Sequence, residues 1–231
     1  DAYIDHPAFG AAVIGRTLEA AGYRVAIVPQ PDWHGDLRDF KKLGRPRLYF
    51  GISAGAMDSM VNKYTANKRL RSEDAYSPDG RHDLRPEYPS IVYSKILRQL
   101  YPDVPIVLGG IEASLRRLTH YDYWKDSVRK SILCDSGADI VIYGMGEKQT
   151  VSIAQELQSG RKIKDIKETP QIAYLCKKAD IPDGIKADDI VLHSHEECLH
   201  NKKFQSDNFR HIEEESNKKH AQRILQEVDG Q

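Results

Sequence analysis

Cysteine, methionine and tryptophan are scarce in this sequence: three, three and two among 231 residues. Cys134, Cys176 and Cys198 lie far apart, which leaves no disulfide framework and no zinc-like or iron–sulfur-like spacing. So sparse and odd a count fits a reducing, cytoplasmic setting. An excess of one charge is missing too. Lys+Arg and Asp+Glu both number 34, so no global field draws the chain toward nucleic acid or an acidic membrane surface. The longest apolar runs are strand-sized, too short to span a bilayer, and no signal peptide is visible. An initiator Met is lacking as well, and the opening "DAYIDHPAFG" reads as a loop feeding a helix. The expectation is a piece of a longer protein.

What is present suits a globular α/β protein. Hydrophobic residues make up 40% and charged residues 29%, enough to bury a sizeable core. Asp5 or His6 is a candidate N-cap with Pro7 behind it, and Gly22 ends the helix they would open. "RVAIVPQ" (24–30) reads as a strand, "DLRDFKKLG" (36–44) as a helix, and "RLYFGISAG" (47–55) as the next strand. After a long polar stretch, 57–89, whose first third reads as helix, come the helix 90–102, the strand 104–110 and a helix start at 111–118. The strand 138–147 and the helix 148–160 complete a doubly wound, mainly parallel sheet over residues 1–160. Residues 161–231 read as an extension, with "QIAYLC" (171–176) as an edge strand and 207–228 as a polar helix.

In open α/β sheets, ligands sit beyond the carboxyl ends of the strands. Three strand ends here are built of small residues: Ser53–Ala54–Gly55, Gly109–Gly110 and Gly144–Met145–Gly146. Glycine admits a positive φ and lets a ligand reach bare backbone, and a following helix N-terminus offers free N–H groups. Ser114 adds a hydroxyl, and Arg116 or Arg117 can fold back toward a ligand or pair elsewhere. A βα turn also uses glycine merely to turn, so both readings stand. No G-x-G-x-x-G pattern follows a strand, which leaves a nicotinamide site unsupported.

Three further stretches carry chemistry. Lys63, Lys68, Arg69 and Arg71 are interleaved with Tyr64 and Tyr76, a pattern that binds phosphates and stacks on bases. A solvated loop balanced by Glu73, Asp74 and Asp79 is the plainer reading, and packing over the active face lies between the two. "HYDYWKD" (120–126) suits a cleft wall or an interface, with His120 as a candidate acid–base group or a structural histidine. "HSHEECLH" sets His193, His195, Cys198 and His200 close together, but at no spacing that geometry turns into a zinc site. Surface histidines are the expectation there.

The stretches "DAYIDHPAFGAAVIGRTLEAAGYRVAIVPQPDW", "TANKRLRSEDAYSPDG", "IVLGGIEASLRRLTHYDYW" and "ADIVIYGMGE" closely resemble the N-terminal region of YgiQ-type radical S-adenosylmethionine (radical SAM) proteins. The resemblance covers essentially the whole chain, "EECLHNKKFQSDNFRHIEEESN" included. It implies a flavodoxin-like module, similar to the cobalamin-binding domains that precede many radical SAM catalytic domains, with a helical C-terminal extension. Carried over to this sequence, the cofactor-facing residues are Asp5, His6, Ser53, Gly109, Gly110 and Ser114, with Gly144, Gly146 and Glu147 as a weaker addition. In such a fold the first strand would precede Asp1.

Two departures qualify what the resemblance implies. "DHPAFG" does not match the cobalamin-ligating D-x-H-x-x-G pattern, and the C-x-x-x-C-x-x-C motif that holds a [4Fe–4S] cluster does not occur. Cobalamin is therefore open. The cluster and S-adenosylmethionine are expected in a catalytic domain beyond this chain, which is expected to have no radical chemistry alone. That catalytic domain is the expected partner, with an unidentified substrate. A docking module without cofactor and an RNA-binding module through residues 63–71 are the competing readings.

Overall fold

The computed structural model describes residues 1–230. The chain begins with α1 (Gly10–Ala20), α2 (Arg38–Lys41), β1 (Phe50–Ser53), α3 (Ser59–Lys63) and α4 (Pro89–Leu100). It continues through β2 (Ile106–Gly109), α5 (Gly110–Leu115), β3 (His120–Asp122), β4 (Ser127–Arg129), α6 (Ile132–Ser136) and β5 (Ile140–Ile142). Next come α7 (Glu147–Gln158), β6 (Ile172–Tyr174), β7 (Ile190–Val191), α8 (His195–His200), α9 (Lys202–Ser216) and β8 (Ile224–Leu225). Two compact units result. The first joins Asp1–Arg117 to Ile132–Tyr174, and the second joins Leu118–Ser131 to the chain from Leu175 onward.

The first unit is the α/β module. Its four-stranded sheet runs β1-β2-β5-β6, with β1, β2 and β5 parallel and β6 antiparallel at the edge. Strands covered by helices on both faces must be apolar on both, which explains the unbroken aliphatic runs "IVL" and "IVI". Successive side chains alternate between two layers. Ile106, Leu108 and Val141 pack with Ile91, Leu97 and Leu133 on one face. Val107, Ile140 and Ile142 meet Ile153 and Ile166 on the other. Removing one of these side chains, as in Leu108→Ala, costs about 2–5 kcal/mol.

The second unit is built of short pieces. β3 and β4 form an antiparallel hairpin, and β7 pairs in parallel with β8. Between β7 and β8, Ser194 caps α8 in a reciprocal box with Glu197. Asn208 on α9 then fastens His193 through both its N–H and its carbonyl.

Three expected elements differ. Residues 24–30 do not form the expected strand: they join no ladder among the described residues, and Gln30, with φ +35°, turns the chain at the end of the segment. Neither Asp5 nor His6 caps α1, which starts only at Gly10 behind Phe9 and has no side-chain cap. The polar helix ends at Ser216 instead of running to residue 228. Ile224 and Leu225 instead form β8, and the chain there accepts the N–H groups of Ile190, on the Arg223 carbonyl, and of Leu192, on the Leu225 carbonyl.

Candidate functional site

The loops that follow β1, β2 and β5 meet at the carboxyl rim of the first unit's sheet. Ser53, Gly110, Ser114 and Gly144 come together there. Gly110 has φ +81°, and a Cβ at this position would stand 2.6 Å from the Ser53 Oγ. Its bareness therefore serves first to let two rim loops touch. The Ser114 hydroxyl donates to the Gly110 carbonyl at 2.8 Å and accepts the Gly144 N–H at 3.3 Å, tying the second loop to the third. Gly109 is extended and has only the Ile142 carbonyl near its missing side chain, at 3.9 Å. Gly146 precedes α7 and packs on Ile142, while Glu147 lines a groove with Thr17, Val151 and Gln155.

The charges that follow the two glycines turn inward. Glu112 is fully buried, and its Oε1 accepts the Ser90 N–H in the first turn of α4 at 3.1 Å. Arg116 is paired with the buried Asp58 carboxylate and lies over the Tyr88 ring. Arg117 donates to the Ser114 carbonyl and covers Tyr143. Arg116 thus neutralises buried carboxylate instead of greeting an anion from solvent.

At the β1 end, the polar stretch after α3 folds into a strap fastened by Asp74. Arg85 donates to both Asp74 oxygens at 3.0 Å, and the Asn62 amide, the Ser77 hydroxyl and the Tyr76 N–H complete the set. Burial pushes the Asp74 carboxyl up, but Arg85 and these donors outweigh it and hold it below the ordinary carboxylate range. The strap delivers Tyr76 into the rim. Its ring lies against bare Gly55, 3.1 Å from where a Cβ would be, and stacks on the His6 imidazole at 4.4 Å between centroids.

This arrangement decides what His6 can do. Its Nδ1 accepts the Ala8 N–H at 3.0 Å. Burial, then the charge of Arg85, lowers its pKa and favours the neutral ring. With Nδ1 accepting, the neutral ring carries its proton on Nε2 and offers no free lone pair in this arrangement, so His6 as placed does not fit ligation of a corrinoid cobalt. Asp5 is exposed beside it.

The cysteines do not fit a cluster either. Cys134 belongs to the first unit, and Cys176 and Cys198 to the second. Burial raises the pKa of the Cys198 thiol, which accepts from the Asn208 amide at 3.2 Å. No group of three His, Cys, Asp or Glu residues suited to a metal ion exists among the described residues. His195 departs from the surface expectation. It is 4% exposed, with its Nδ1 3.2 Å from the Thr119 hydroxyl, because α8 turns that face inward.

The basic stretch forms a hairpin in which Tyr64 pairs with Leu70. Tyr64 donates its hydroxyl to Glu87 at 2.6 Å, and that bond pushes its pKa up to about 12. Lys63 lies within 4.0 Å of both Asp83 and Glu87. With Tyr76 buried in the rim, one of the two aromatics proposed for stacking on bases is not on the surface.

The rest of the rim is open and apolar. Met57 follows β1, Ile111 and Leu115 lie on α5, and Met145 follows β5. All four are exposed, Leu115 at 60% and Met145 at 78%. Sequence reasoning picked the small residues at these turns and passed over the large ones between them. The signal was an apolar residue at a turn position, where solvent alone gives it no reason to be.

Among known proteins, a family model described as Radical SAM N-terminal matches residues 1–231. A UPF0313 protein of Bacteroides thetaiotaomicron is 68% identical over 240 residues, covering 99% of this chain and 38% of the relative. Its counterpart in Porphyromonas gingivalis is 64% identical over 228 residues, covering 99% of the chain and 36% of the relative. A UPF0313 protein of Clostridium perfringens is 49% identical over 230 residues, covering all of the chain and 34% of the relative. No solved structure matches significantly. The chain thus spans little more than a third of the length of these curated relatives. A mainly parallel α/β sheet accompanies a family match over the full length of the chain, and that match identifies it as a member of the Radical SAM N-terminal family.

Proposed function

We propose that this chain is the non-catalytic N-terminal module of a radical SAM protein, and that its rim packs against the catalytic part of the same polypeptide to position substrate there. The [4Fe–4S] cluster and S-adenosylmethionine belong to that other part in this reading. They supply the radical chemistry, and the module supplies shape and an apolar surface.

The observation that carries the reading is the exposure of Met57 after β1, Ile111 and Leu115 on α5 after β2, and Met145 after β5, at the carboxyl ends of three adjacent strands. Exposed large apolar residues gathered on one face mark an interaction site. The remaining three-fifths or more of the relatives' length supplies a partner that is always at hand.

The test is a pair of substitutions, Leu115→Asp and Met145→Asp, made together in the whole polypeptide. The expected result is that this module becomes markedly more sensitive to limited proteolysis there. Unchanged resistance would contradict docking through the rim. A visible-absorbance titration with cobalamin separates the cofactor-binding alternative: saturable one-site binding to the whole protein would assign the rim to a corrinoid instead.

A further inference from the structure

The hairpin of the strap gathers positive charge that its surroundings do not neutralise. Residues 64–71 hold Lys68, Arg69 and Arg71 and no acidic residue. Thr65 accepts the Arg69 N–H on its hydroxyl at 3.2 Å and donates its own N–H to the Arg69 carbonyl at 2.8 Å. The hairpin is therefore a defined structure, not a solvated loop. The carboxylates near it in sequence are engaged elsewhere. Asp74 pairs with Arg85, while Asp83 and Glu87 lie beside Lys63. Glu73 packs along Gly80, next to Asp79 in the chain. Among the described residues, no carboxylate stands within 4.0 Å of the Arg69 or Arg71 guanidinium.

One face of this hairpin meets apolar surface. Residues two apart on a strand share a face, so Arg69 and Arg71 lie on the same side. That side rests on α3, because the Arg71 Nε donates to the Val61 carbonyl at 3.1 Å. Val61 is 41% exposed and stands four residues after Met57, about one helical turn from the rim. Aliphatic side chains beside arginine are the make-up of a protein interface. Nucleic acid fits this face less well. Glu87 holds the Tyr64 hydroxyl, Lys63 lies over the Tyr64 ring and Tyr76 is buried, so neither tyrosine is offered to a base.

We infer that the docking surface continues from Met57 along α3 to this hairpin, and that it meets an acidic segment of the catalytic part there. The inference rests on the rim as docking surface and adds the chemistry of what covers its β1 side. A guanidinium presents a planar fork of N–H donors that matches a carboxylate. Arg69 has that fork whole, and Arg71 keeps its two Nη groups while its Nε holds α3. Two such cations about 7 Å apart along a strand repel each other until an anion lies between them, an effect that salt screens. Met57 and Val61 take the aliphatic side chains that flank those carboxylates.

The test labels the whole polypeptide with phenylglyoxal, an arginine reagent, and follows Arg69 against Arg47. Arg47 is exposed and precedes β1, at the opposite end of the strand from the rim. The expected result is that Arg69 reacts about tenfold or more slower than Arg47 at about 0.05 M salt, and within about threefold of it at about 1 M. Equal rates at low salt, with Met145 still shielded from peroxide, would overturn the acidic contact and leave docking through the rim in place. Equal rates with Met145 freely oxidised would remove both. Slow reaction at every salt concentration would overturn the acidic partner in favour of plain burial. Slow reaction that a nuclease relieves at low salt would overturn it too, by assigning the hairpin to nucleic acid.

Discussion

The two halves of the rim solve the same problem in opposite ways. At the β1 end, the chain fills its own cleft: the strap is locked by Asp74 and Arg85, and Tyr76 lies between Gly55 and His6. At the β2 and β5 ends, Ser114 ties the loops together, yet Ile111, Leu115 and Met145 are left in solvent. Glycine at a strand end therefore has no single meaning. Beside Tyr76 and beside Ser53 it makes room for the chain itself, and only between the large apolar residues does the surface await something else.

The largest effect should come from breaking the filled half. Arg85→Ala leaves Asp74 and Asp1 buried without their cation and is expected to cost about 3–5 kcal/mol, read as a shift in the urea midpoint. A loss below about 1 kcal/mol would mean the strap is held by something other than this network.

Gly110 and Gly109 sharpen the comparison within three atoms of backbone. Gly110→Ala meets both a positive φ and the Ser53 hydroxyl, and should cost about 1–3 kcal/mol. Gly109→Ala, in extended backbone with only an ordinary contact to the Ile142 carbonyl, should change stability by less than about 0.5 kcal/mol. Equal effects would show that the close approach of Ser53 is not what requires the glycine.

Acid should loosen the filled half. The folded pKa of Asp74 lies below its unfolded value, so its contribution is complete above the ordinary carboxylate range and is lost as pH falls through the folded value. The urea midpoint should therefore drop on acidification in the natural protein and drop less in Asp74→Asn. Identical acid slopes would remove Asp74 as the group responsible.

The smallest effect belongs to the open half. Leu115→Ser and Met145→Ser should leave the stability of the isolated chain within about 0.5 kcal/mol, because those side chains contact mainly water. A large loss would mean they are already packed.

The parallel sheet was legible because strands buried on both faces announce themselves: "IVL" at 106–108 and "IVI" at 140–142 allow no other environment. Ser53, Gly110, Ser114 and Gly144 were legible as strand-end residues by their small size. The direction of Arg116 was not, because pairing with Asp58 depends on a residue 58 positions away that only folding brings near. Tyr76 stood out in sequence as an aromatic among bases, and local pattern could not tell a stacking platform from a plug. Residues 24–30 misled for a related reason. Their pattern is that of a strand, but pairing is a property of the neighbour, not of the segment.

The most direct measurement uses the three methionines as probes. Met57 and Met145 are on the open rim, and Met60 is 2% exposed in the core. Peroxide oxidation of the whole polypeptide, followed residue by residue, compares them under one condition. If the rim docks on the catalytic part, Met57 and Met145 should oxidise within about threefold of the rate of Met60. If both oxidise about tenfold or more faster than Met60 in the intact protein, the rim faces solvent there, and docking through it is contradicted.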